Sequence, residues 1–186
     1  MPAPLRRQRL RMRVVVTSTA LFLALVCAAL AAPAPAESVS VHDARRLEQA
    51  VLKRINAVRA NHGLPRLGVN ERLTKAATSH TSVMATHGYC DHDWWDGTPL
   101  STWIRWFWPG PGYDSWGAAE NLYAHSRAPG ARRVVRWWMN SPSHRANILG
   151  RWRFIGGSAV RVRNPTGTFR RYSAVTMVAV EFGRRS

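Results

Sequence analysis

The chain has 186 residues, of which 27 are basic and 10 acidic, for a formal net charge of +17, and 46% are hydrophobic. That length supports one domain with a real core and is too short for two comfortable ones. The charge predicts polyanionic partners, and two cysteines exclude a disulfide-stapled scaffold.

The first element sets the compartment. "MPAPLRRQRLRMR" carries five arginines and runs into the apolar "VVVTSTALFLALVCAALAA", which predicts a secretory signal peptide over residues 1–36, cleaved after Ala31 or Ala36. Val26 stands before Cys27 where an acylated cysteine wants Gly, Ala or Ser, which argues against a lipoprotein. The expected product is secreted, extracellular and in contact with the cell wall. Losing five arginines and no acids takes the charge from +17 to +12. An exported chain meets no nucleic acid, so the expected partners are lipid headgroups, met as peripheral membrane contact, or anionic wall polymers. A basic surface that serves solubility alone is the bland alternative. Cys27 leaves with the leader, so Cys90 stands alone, no intrachain disulfide forms, and burial of the thiol is the expectation.

Residues 37–46 are a short lead-in to a domain over 47–186. Leu47, Val51, Ile55 and Val58 recur at helical spacing and end at Gly63. "ERLTKAATSHTSVMATHG" repeats the pattern with Leu73, Ala77, His80 and Met84 on one face, capped by Asn70 and closed by Gly88; His80 reads as a satisfied core residue. Tyr89 to Trp116 is an aromatic loop with one short helix at most, holding six of the nine tryptophans. "GAAENLYAHS" follows. "GARRVVRWWMN" predicts a third helix burying Val134, Val135, Trp138 and Met139. Ser141 as N-cap and Pro142 at the first helical position start a short helix that ends at Gly150. "GGSAVRVRN" and "FRRYSAVTMVAVEF" predict a β-hairpin turning at "NPTG", with the last strand central. Helices first and strands last give an α+β domain.

The order of "INAVRANHGLPRLGVNERLTKAATSHTSVMA", "DHDWWDG", "GYDSWGAAENL", "VVRWWMNSPSHRANIL" and "IGGSAV…VTMVAVEFG" resembles the bacterial branch of the CAP superfamily, the cysteine-rich secretory, antigen 5 and pathogenesis-related proteins with their SCP domain. The resemblance spans residues 47–183. It implies a three-layer α-β-α sandwich, with the C-terminal hairpin in a central antiparallel sheet. It also implies a cleft lined by two His and two Glu that in some members holds a divalent metal. Carried onto this chain, the cleft residues are His92, Glu120 and His144. The position matching the second glutamate is Ser141, so the set is one carboxylate short.

Two imidazoles and a carboxylate with an open position suit zinc, so His92, Glu120 and His144 are the expected metal ligands and the candidates for catalysis. A polar cleft in which the three bond one another and water is the alternative. Ser141 and Ser143 beside His144 suggest a nucleophile pair, but sequence neighbours rarely have the geometry, and the helix start explains Ser141 better. The helix N-terminus and nearby arginines disfavour imidazolium at His144. Trp94, Trp95, Trp106 and Trp108 are the expected ligand-binding rings for an acyl chain, sterol-like lipid or glycan. The reading is a secreted binding module of the cell envelope for lipid or anionic wall polymer, more a binder than an enzyme. The alternative is a metal-dependent hydrolase, a peptidase or esterase, using the same cleft.

Overall fold

The computed structural model describes residues 40–186, so the expected leader and its cleavage sites lie outside the described residues. Elements run β1 (Ser40–Asp43), α1 (Arg45–Asn61), β2 (Gly68–Val69), α2 (Glu71–His87), α3 (Leu100–Phe107), β3 (Trp116–His125), α4 (Ala131–Met139), α5 (Pro142–Leu149), β4 (Phe154–Arg163) and β5 (Ala174–Arg185). Each predicted helix is present. The segment "GAAENLYAH" is strand β3, which helical or alternating periodicity did not reveal because it is half-covered along one end and buried in its middle.

Local chemistry explains the boundaries of α2. Asn70 Oδ1 accepts the N–H groups of Arg72 and Leu73 at 2.9 and 3.3 Å, satisfying donors that the first turn leaves orphaned. Gly88 closes the helix at φ 68°, and a Cβ there would sit 2.3 Å from the Thr166 carbonyl oxygen. Only glycine meets both demands. The hairpin connection is longer than "NPTG" alone, because pairing resumes only at Arg163↔Ala174 and a 3-10 turn (Gly167–Phe169) occupies the loop.

The sheet order is β1-β4-β5-β3, antiparallel throughout, with the two-residue β2 added parallel to β4 along the edge that β1 also uses. β5 is therefore central, as its apolar character on both faces demands. Alternation divides it: Val178, Val180 and Phe182 pack under α1, α4 and α5 with Val51, Ile55, Val135 and Trp138. Val175, Met177 and Ala179 pack against α2 with Ala77 and Met84. A third cluster around Trp103, Ile104 and Trp108 of the α3 region joins Leu73 and Ala76 of the same layer. The result is the α-β-α sandwich.

One buried cation locks the first layer. Arg59 is 1% exposed; its Nη1 donates to the carbonyls of Ile148 and Gly150, both at 2.8 Å, and its Nε donates to Pro65 at 3.0 Å. It thereby satisfies the C-terminal carbonyls of α5, which helix geometry leaves open. Desolvation lowers its pKa from the ordinary value. Arg59→Met keeps the stem volume and orphans three carbonyls, so urea unfolding is expected to show a loss of about 2–4 kcal/mol.

Candidate functional site

The site begins with a strand register. β3 and β5 pair so that Glu120 lies directly opposite Glu181, and residues opposite each other in an antiparallel pair share a face. Both carboxylates therefore point into the α2 layer, where His80 descends from the helix. Glu120, Glu181 and His80 are all buried, at 2%, 0% and 0% exposure.

Glu120 is held on both sides. His80 Nδ1–H donates to its Oε1 at 2.6 Å and His92 Nδ1–H donates to its Oε2 at 2.7 Å. Burial by itself raises the Glu120 pKa, but the hydrogen bonds from His80 and His92 outweigh it and hold the carboxyl below its usual value. The same bond raises His92 against the opposing effect of burial. Glu181 has no such donors. Desolvation, then the charge of Glu120, pushes its carboxyl well above the usual carboxylate range, so it is neutral beside an ionised neighbour.

The aromatic loop builds the wall around this centre. Trp94 stacks on His80 with centroids 5.5 Å apart, and Trp103 tilts against it at 4.5 Å. Trp103 Nε1–H donates to the His92 carbonyl at 2.9 Å, which fixes the loop that carries His92. Trp106 meets the edge of Trp94 at 5.4 Å. Among the expected ligand-binding rings, Trp95 and Trp106 are 56% and 57% exposed and Trp94 is half-buried. Trp108 is fully buried, under Phe154 and the Arg185 guanidinium 3.8 Å from its ring. It serves the core and faces no ligand, a correction that the apolar loop composition could not supply.

"SPSHRANIL" reaches the same place from the other side. Asn147 Nδ2–H donates to the Glu120 carbonyl at 3.0 Å and to Asn121 Oδ1 at 2.9 Å, while Asn121 Nδ2–H donates to the His144 carbonyl at 3.0 Å. These bonds dock α5 on β3. Ser141 occupies the N-cap position but makes no side-chain cap; its Oγ meets His144 Nδ1 at 2.9 Å instead. Desolvation, then the charge of His92, lowers the His144 pKa, so the imidazole is neutral as expected, though burial rather than the helix end is the main cause.

His92 and His144 line one groove of about 510 Å³ together with Cys90, Tyr123, Trp137 and Phe169. Cys90 is exposed there, against the expected burial, because the chain leaves α2 at Gly88 and runs over the surface. Glu120 does not line the groove: His80 takes one of its oxygens from within and His92 takes the other from the groove side. Of His92, Glu120 and His144, the fold joins His92 to Glu120 directly and brings His144 to the same groove. The donor set fits a cation at His92 and His144, since each ring has Nδ1 engaged and keeps Nε2 available, with Glu120 behind His92 fixing the tautomer and raising its basicity. The second carboxylate absent at Ser141 is present as Glu181, from another element. His80 and Glu181 were missed; the one available signal was a charged residue inside the otherwise apolar "AVTMVAVEF".

The profile of the cysteine-rich secretory protein family, CAP, matches residues 52–178. An uncharacterized protein of Bacillus subtilis (strain 168), YkwD, is 35% identical over 103 residues, covering 55% of this chain. The chain spans 37% of the length of that curated relative. Among solved structures, an outer surface protein of Borrelia burgdorferi superposes with a TM-score of 0.62 at 21% identity, covering 80% of this chain and 100% of that one. An extracellular SCP-domain protein of Bacillus anthracis gives 0.57 at 20% identity, covering 75% of this chain and 41% of that one.

Proposed function

The chain belongs to the cysteine-rich secretory protein family, and on that premise we propose that it is an exported binding module of the cell envelope that takes a lipid or an anionic wall polymer. The observation that carries this reading is the exposure of three large rings, Trp95, Trp106 and Trp137, at 56%, 57% and 50%. Trp137 stands on the groove with the two histidines, and Trp95 lines a second pocket with His87, Tyr89 and Trp94. Open aromatic rings on so basic a chain suit an anionic ligand with an apolar or glycan body. The similarity to one outer surface protein and one extracellular protein of bacteria supports the location. In the groove, His92 and His144 would hold a divalent cation through Nε2, with zinc the choice by ligand type.

Trp fluorescence tests the reading. Titration with anionic liposomes or isolated cell wall at low salt is expected to shift the emission, the shift fading at high salt. Trp95→Ala with Trp137→Ala is expected to weaken binding about tenfold or more. The responding arm names the ligand; silence in both arms sinks the proposal.

One contact favours the second reading, a metal-dependent peptidase or esterase. Glu120 fixes His92 through Nδ1, leaving Nε2 to bind the metal that such an enzyme uses to activate water. A bound divalent ion would supply Lewis acidity there. Product release from generic ester or peptide substrates that disappears in His92→Gln would decide for it.

A further inference from the structure

Beneath the groove lies a set of groups that the binding reading does not use. His80, Glu120 and Glu181 each offer a ligand atom, and these atoms all lie within 4.8 Å of one another. Glu181 is 0% exposed and neither of its oxygens has a hydrogen-bond donor. Unpaired polar atoms in a closed core cost stability unless something satisfies them. We propose that His80, Glu120 and Glu181 form a second, internal seat for a divalent first-row metal ion such as Zn²⁺ or Mn²⁺, separate from the His92 and His144 pair.

Three observations support it. Atoms no more than 4.8 Å apart leave a point within about 2.8 Å of all three, so movements of at most about 0.8 Å bring each to the ~2.0–2.2 Å of a metal–ligand bond. One imidazole and two carboxylates make a donor set that such ions accept. Charge also closes: two carboxylates facing each other across paired strands carry two negative charges when both ionise, and a divalent ion balances them where a single proton balances one. On binding, the ion takes the place of the Glu181 carboxyl proton, and the His80 proton moves from Nδ1 to Nε2. Trp94 and Trp103 then enclose the seat, and His92, 47% exposed at the groove and bonded to Glu120, stands between it and solvent.

The experiment counts ions and needs no activity. The full chain is stripped with chelator, incubated with Zn²⁺ or Mn²⁺ alone, desalted and measured by elemental mass spectrometry. The expected result is at least one equivalent retained by the wild type and one by His144→Ala, which lacks the groove pair, with retention at least tenfold lower when the isosteric Glu181→Gln is added to His144→Ala. Loading is expected to raise Tm by about 5 °C in the first two proteins and not in the third. Equal retention in His144→Ala with and without Glu181→Gln overturns the proposal, as does a wild type that keeps no ion and shows no Tm change, which assigns a proton to the two carboxylates. Should Glu181→Gln fail to fold, Co²⁺ replaces it as the probe: a d–d absorption that persists in His144→Ala supports the inner seat, and its loss there places the ion in the groove and overturns it. None of these readouts depends on liposome or wall binding, so this proposal and the envelope reading fail separately.

Discussion

Glu120→Ala is expected to destabilise the metal-free protein by about 3–5 kcal/mol, measured by urea unfolding at pH ~5.5. The substitution removes the acceptor of both His80 Nδ1 and His92 Nδ1, and His80 has no exposure through which water could replace it. The pH dependence of this difference follows from the shifts. Glu120 is held below its usual value, so its contribution is full above the unfolded carboxylate range near ~4.3 and is lost as pH falls through the lower native value. His92 is raised, so its contribution is full below the unfolded value near ~6.5 and is lost as pH rises through the higher native value. The gap between wild type and Glu120→Ala is therefore expected to be widest between those two values and to narrow on either side. A gap that stays flat from about pH 3 to 9 would show that the pairing carries no stability.

Gly156→Ala is expected to cost about 3 kcal/mol or more, read as a fall in the urea midpoint at unchanged slope. A Cβ at Gly156 would lie 2.2 Å from both the Leu73 carbonyl carbon and the Thr74 nitrogen. These are backbone atoms in the first turn of α2, so no side chain can rotate to make room. Relief requires moving the helix off β4. His80 rides on the same helix two turns later, so the variant is also expected to lose near-UV circular dichroism from the Trp94 and Trp103 rings packed on it. A melting temperature within about 2 °C of wild type would mean that α2 does not approach the sheet this closely.

Much of the frame was legible from local signals. Asn70 and Gly88 bound α2 because capping depends on a few adjacent residues, and Pro142 starts α5 for the same reason. The apolar run "AVTMVAV" identified a strand buried on both faces, which is the central position β5 holds. The motif order led to the right family and hence to the sandwich. Local reasoning was weaker where residue type and surroundings part company. Cys90 reads as buried by composition yet is exposed, and Trp108 reads as ligand-facing yet is enclosed.

The candidate site divides the same way. His92, Glu120 and His144 could be named from motifs, but not the manner of their meeting: Glu120 bonds two histidines, and His144 is held at its carbonyl by Asn121, itself bonded to Asn147, and at its ring Nδ1 by Ser141. His80 and Glu181 stayed hidden because each looks ordinary in its own element, one on a helix face and one in a strand. What the sequence by itself determined was where helices and strands begin and which faces are apolar, since those follow from neighbours a few residues apart. Only the tertiary structure decided that Glu120 and Glu181 stand opposite each other under His80, because strand register joins residues some sixty positions apart through backbone hydrogen bonds.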